Sequence, residues 1–153
     1  YGLISKMQPI YEKTTNKNVH YTIDDQFLKF WFRFVYKYTH VIEAGGNERL
    51  KTIAERDFTT VSGKSLESYF HEVLKETGCY TRLGYWHDRR GENEIDIVAE
   101  DEVDNKIEFI EVKRQSKNFD EEVLKTKSES FMKAVGAFNG YEINYRGLSI
   151  EDM

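Results

Sequence analysis

The chain is 153 residues long, with 39% hydrophobic and 14% aromatic residues, one cysteine and a formal net charge of −5. That length supports one full core and a small appendage, and that composition excludes a disordered chain and an internal disulfide framework. No signal peptide and no apolar run long enough to cross a membrane is present, which together with the lone Cys79 suits a reducing cytoplasm.

The charge is uneven. Residues 1–62 hold nine Lys/Arg against seven Asp/Glu, and residues 63–153 hold thirteen against twenty. An acidic lobe does not attract nucleic acid unaided, so a bound divalent metal or basic partners would have to offset it. The chain opens on Tyr1 in mid-pattern, as a fragment of a longer protein would.

Residues 1–23 read as a β-hairpin. Leu3, Ile4 and Ile10 lie on one arm and Val19, Tyr21 and Ile23 alternate on the other. The tip, residues 13–18, is polar and basic. Asp24 or Asp25 then caps a helix from about 25 to 43, with Phe27, Leu28, Trp31, Phe34, Val35 and Tyr38 facing inward and Gly45-Gly46 ending it. A second helix covers 48–60, with Leu50, Ile53, Ala54 and Phe58 inward. Ser62 or Ser65 caps a third, which runs to Thr77 on an apolar face of Leu66, Tyr69, Phe70, Val73 and Leu74 and stops at Gly78.

Three strand-like segments come next, at about 79–87, 94–100 and 106–113, separated by polar turns. Asn118 or Asp120 caps a helix through Val135, closed by Gly136, and a last strand covers about 141–150. From residue 63 the order is α-β-β-β-α-β, an α/β domain.

Chemistry is concentrated in Glu94-Ile95-Asp96 and Glu111-Val112-Lys113. Side chains alternate along a strand, so Glu94, Asp96 and Val98 share one face, and Ile95, Ile97 and Ala99 the other. On the next strand Ile107, Phe109, Glu111 and Lys113 share a face. An antiparallel pair brings Asp96 towards Glu111. Glu67 precedes Phe70 and Leu74 by three and seven positions, on the core-facing side of its helix, where a carboxylate is costly unless paired or metal-bound. Either tripeptide alone says little, because alternating charge is the ordinary pattern of a half-solvated edge strand. Three carboxylates and a lysine in this order fit metal-assisted phosphodiester hydrolysis. Asp96, Glu111 and the Val112 carbonyl would supply the inner shell of a Mg²⁺ or Mn²⁺ ion, and Lys113 would orient a water or neutralise developing charge. Without metal, the clustered carboxylates raise each other's pKa values.

These residues resemble the PD-(D/E)XK nuclease superfamily, with its restriction-endonuclease-like fold. More narrowly, the chain looks like the C-terminal domain of unknown function attached to archaeal-type AAA-family P-loop ATPases, also found in bacteria. The resemblance spans nearly the whole chain. It rests on residues 20–34 (HYTIDDQFLKFWFRF), 63–70 (GKSLESYF), 94–98 (EIDIV), 111–113 (EVK) and 147–153 (GLSIEDM).

It implies that residues 1–61 are the wing hairpin of a winged helix with a helical linker. Residues 62–153 would be the nuclease-like domain, with a mixed sheet. Asp96 would be the central metal ligand, Glu111 the second, Lys113 the catalytic lysine and Glu67 the helix acid. The proline of the nominal motif is absent, with Glu94-Ile95 in its place. An additional helix residue used by some subfamilies could be Gln115, Lys127 or Ser128. The implied partners are DNA and the N-terminal ATPase domain of the same protein. A catalytically silent nuclease fold that binds DNA or protein is the alternative.

No ATP site is expected in this chain. Gly63-Lys64-Ser65 and Lys51-Thr52 lack the upstream glycines of a P-loop, and the former reads as a loop into a helix N-terminus. His20, His40, His71 and His87 have no zinc spacing to Cys79. Trp31 and its aromatic neighbours read as core, and His87-Asp88-Arg89-Arg90 as a solvated turn. Lys6, Lys13 and Lys17 would touch DNA if the hairpin is a wing, and are otherwise a solvated hairpin.

Overall fold

The computed structural model describes residues 3–7, 9–11, 20–136 and 138–153. They fall into two compact units, one drawn from 1–7 and 19–65, the other from 8–18 and 66–153.

In the first unit, β1 (Ile4–Met7) pairs antiparallel with β2 (His20–Ile23), from Ile4 opposite Ile23 to Met7 opposite His20. The expected basic tip lies outside the described residues, as does Val19. Asp24 and Asp25 divide the work at the next start. Asp24 accepts the Ser5 hydroxyl at 2.6 Å, and Asp25 caps the helix by accepting the Leu28 N–H at 2.8 Å.

The helical segment 26–43 is not one regular helix. It comprises α1 (Gln26–Phe30), a π turn (Trp31–Val35), a 3₁₀ turn (Tyr36–Tyr38) and α2 (Thr39–Glu43). A π turn adds a residue per turn and rotates the residues beyond it, so the 3.6-residue stripe is broken. Of the residues expected inward, Phe34 is buried, Leu28, Val35 and Tyr38 are half-buried, and Phe27 and Trp31 are exposed. The reading of Trp31 and its neighbours as core therefore fails: Trp31 is 42% exposed, and Phe27, Phe30, Phe32 and Tyr36 are exposed too. These rings cover one another along the helix instead, with centroids 6.2 Å apart for Phe27–Trp31 and 5.6 Å for Phe32–Tyr36.

The two helices expected at 48–60 and 62–77 are a single helix, α3 (Asn47–Glu76), of 30 residues. Neither Ser62 nor Ser65 caps it, and Gly63-Lys64-Ser65 is helix interior rather than a loop. Ser62 donates its hydroxyl back to the Thr59 carbonyl at 3.2 Å. One interior glycine costs about 1 kcal/mol, too little to stop a helix of this length. Phe58, expected inward, is exposed.

The second unit holds β3 (Arg82–His87), β4 (Glu94–Asp101), β5 (Lys106–Val112), α4 (Glu121–Val135) and β6 (Glu142–Leu148). The strands form one mixed sheet in the order β3-β4-β5-β6. The first two pairings are antiparallel, and β5–β6 is parallel. The α-β-β-β-α-β order expected from residue 63 is thus present, in a mixed α/β domain. Asp120, rather than Asn118, caps α4 by accepting the Glu122 and Val123 N–H groups; Asn118 ends a short 3₁₀ turn.

Each face of the sheet has its own core. Leu66, Phe70 and Leu74 of α3 pack on Ile97, Ala99, Ile110, Val112 and Leu148. Leu124 and Phe131 of α4 pack with Trp86, Ile95, Val98, Ile107 and Phe109. Ile10 does not sit on a hairpin arm. β1 ends at Met7, and Ile10 donates its N–H to the Tyr85 carbonyl at 2.8 Å, on the open edge of β3, because its side chain is better buried against the α4 core than on a two-stranded ribbon.

β4 departs from simple alternation. Gly84 pairs with Val98 but Trp86 pairs with Ile95, so Tyr85 alone stands opposite Asp96 and Ile97. This is a β-bulge, two residues facing one. The expected face-sharing of Ile95 with Ile97 and Ala99 is therefore wrong. Ile95 packs with Val98 towards α4, and Ile97 packs with Ala99 towards α3.

Candidate active site

The β4–β5 ladder ends at Ile97 opposite Ile110. One step further, Asp96 would face Glu111, but backbone pairing has stopped and the strands part. The Asp96 carboxylate takes over there: its Oδ2 accepts the Val112 N–H at 2.8 Å, a donor that β4 no longer satisfies. The bulge that flips the strand phase at Asp96 thus aims its side chain into the gap. In an extended residue N–H and C=O point to the same side, so the Val112 carbonyl is turned to this gap as well.

Glu111 continues the α4-facing row of Ile107 and Phe109. Its side chain is only 10% exposed and meets two ammonium groups. Lys113 Nζ lies 2.6 Å from Oε1, and Lys127 Nζ lies 3.0 Å from both Oε1 and Oε2. Lys113 comes from the residue just beyond β5, where its own N–H donates to the Leu148 carbonyl at 2.8 Å and holds the turn-out from the sheet.

Electrostatics tie the group together. Burial first, then the Glu111 charge, pushes the Asp96 carboxyl up to about 7; Glu67 adds to the rise, while the Val112 N–H and Lys113 oppose it. Burial works against the Lys113 ammonium, but Glu111, Asp96 and Glu67 outweigh it and hold its pKa above the usual lysine range. Glu67, partly buried beside Leu66 at the point where α3 enters the second unit, thus acts on both Asp96 and Lys113 through its charge.

Of the three candidates for an additional helix residue, Lys127 alone is seen to contact this cluster. Ser128 is fully buried one position on, sharing a hydrogen bond with Tyr145 and donating to the Lys125 carbonyl, and Gln115 is exposed. The sequence signal for Lys127 matches that for Glu67. It falls three residues after Leu124 and four before Phe131, a charged group on the core-facing stripe of its helix. The bulge had no comparable signal, since Ile95 to Ala99 reads as strand in either phase.

Among the described residues, no three His, Cys, Asp or Glu side chains stand close enough to enclose a metal ion by themselves. The donors present are two carboxylates, Asp96 and Glu111, and the Val112 carbonyl. Mg²⁺ commonly takes one or two carboxylates and completes its shell with water and substrate phosphate. Burial first, and the Glu111 charge second, disfavour the Asp96 carboxylate, and a hydrated cation at these donors would offset both. Of the described histidine side chains, His40 is exposed, and His87 Nδ1 lies 2.9 Å from the Asp88 carbonyl oxygen. The Asp88–Asn93 turn is built on the Asp88 carboxylate, which accepts the Arg90, Glu92 and Asn93 N–H groups.

No helix of the described residues is long and apolar enough to cross a membrane. No solved structure matches the chain. An uncharacterized protein of Methanocaldococcus jannaschii, MJECL04, is 32% identical over 120 residues, which is 72% of this chain and 26% of that protein. The chain thus spans about a quarter of that relative's length. Residues 31–128, which include Glu67, Asp96, Glu111, Lys113 and Lys127, match a family described as archaeal and bacterial proteins of unknown function. The chain belongs to that family, DUF234.

Proposed function

We propose that residues 62–153 are a PD-(D/E)XK, restriction-endonuclease-like domain that hydrolyses DNA phosphodiester bonds with Mg²⁺ or Mn²⁺. The observation that carries this reading is the parting of β4 and β5 at Asp96 and Glu111, with Lys113 bound to Glu111 at 2.6 Å. Asp96, Glu111 and the Val112 carbonyl would hold the ion, with Glu67 adding its charge. When bound, the ion supplies Lewis acidity towards a phosphate oxygen and lowers the pKa of a water. Lys113 would orient that water or steady negative charge on the phosphate. We further propose that the domain belongs to a longer protein carrying a P-loop ATPase. The relative's length leaves room for one.

A silent DNA- or protein-binding module is the second reading, and the acidic balance of residues 63–153 favours its protein-binding form. Incubating the chain with plasmid and single-stranded DNA in Mg²⁺ or Mn²⁺, beside Asp96→Ala and Lys113→Ala, separates the two. Cleavage by the parent that falls at least ~100-fold in both variants supports the enzyme. Equal background in all three supports the silent module.

A further inference from the structure

Lys127 is the feature of this site that the proposed chemistry does not use. It stands on α4, whose neighbouring turns are anchored by Leu124 and Phe131, both essentially inaccessible. The helix is therefore fixed, while the four-carbon lysine stem keeps its rotatable bonds. The stem is mostly covered, with the side chain 20% exposed. An ammonium this enclosed needs a counter-charge, and it takes both oxygens of Glu111 at 3.0 Å. Lys113 already occupies Oε1 at 2.6 Å. A carboxylate offers about four lone-pair sites, and three short ammonium contacts leave little of Glu111 for anything else.

We propose that Lys127 is an internal counter-ion of this site. It neutralises Glu111 while no divalent cation is bound, competes with that cation for the carboxylate, and once displaced offers its ammonium to the substrate's phosphate. The inference rests on the reading of Asp96 and Glu111 as cation ligands. A lysine that only supported Glu111 would make the opposite prediction, because its loss would loosen a ligand and weaken metal binding.

The test is Mn²⁺ affinity by calorimetry on the whole chain and on Lys127→Met and Lys127→Arg, with thermal melts to show that each is folded. Methionine keeps the apolar stem without the charge, and arginine grips a carboxylate bidentately. The expected order is Lys127→Met tightest, at least ~tenfold tighter than the parent, and Lys127→Arg weakest. With Ca²⁺ present, Lys127→Met should bind a DNA oligonucleotide several-fold more weakly than the parent. Unchanged or weaker Mn²⁺ binding by Lys127→Met, with the parent binding normally, overturns the counter-ion role alone. If Lys127→Met does not fold, Lys127→Arg binding Mn²⁺ as tightly as the parent or tighter overturns it instead. No Mn²⁺ binding by the parent or either variant overturns the cation site and the inference with it.

Discussion

Asp96 is held in a position where its charge is a burden. Burial and Glu111 push its carboxyl up to about 7 from an ordinary value of 3.8, so the folded chain holds this proton more tightly than the unfolded chain does. The group's favourable contribution to stability is therefore complete below pH ~4 and is lost as pH climbs through ~7. Asp96→Asn keeps an acceptor for the Val112 N–H and removes the charge. It is expected to raise stability at pH 8 by about 2 kcal/mol, with little effect at pH 4, in urea melts of both forms. A parent whose stability does not fall between pH 4 and 7 relative to Asp96→Asn contradicts this. At this scale the sequence is informative wherever a charge is out of place. Glu67 and Lys127 both stand out as charges on apolar helical stripes. That Lys127 spans the two oxygens of Glu111 is not readable, because it depends on how far apart α4 and β5 pack.

Among the elements, strand order, α4 and its closing Gly136 follow from periodicity and turn chemistry, since each is bounded by residues that cannot continue the element. The break expected in α3 between Thr60 and a cap at Ser62 or Ser65 is absent. Serine and glycine are good boundary residues only where another conformation serves the backbone better, and Ser62 bonds back to the Thr59 carbonyl within the helix. Gly63 sits in open space within that helix, where an added Cβ would meet nothing within 4 Å. Gly63→Ala is accordingly expected to stabilise the chain by about 0.5–1 kcal/mol in a thermal or urea melt. The contrast is Gly147, opposite Glu111 on β6, where a Cβ would come within 2.5 Å of the Phe119 ring. Gly147→Ala should destabilise by about 1–3 kcal/mol. Equal effects at the two glycines would mean that neither environment is as described. The bulge in β4 belongs to this scale too. It depends on where β3 pairs, which no local pattern in Ile95–Ala99 records.

Across the whole molecule, each unit carries a surplus. The first unit exposes Phe27, Phe30, Trp31, Phe32 and Tyr36, an apolar series that periodicity assigns to a core. Periodicity reports that a stripe is apolar; it does not report which element covers it. The second unit carries the excess of acid, twelve Lys/Arg against twenty Asp/Glu over its residues 66–153, and Asp96 and Glu111 lie at one end of its sheet. A divalent cation there would offset both the local repulsion and the unit's resistance to a polyanion. Titrating Mn²⁺ into the chain and into Asp96→Ala, with free ion followed by electron paramagnetic resonance, tests that directly. One ion bound per chain, with affinity at least ~100-fold weaker in Asp96→Ala, is the expected result. Equal, weak and unsaturable binding by both would show that Asp96 and Glu111 do not form a cation site.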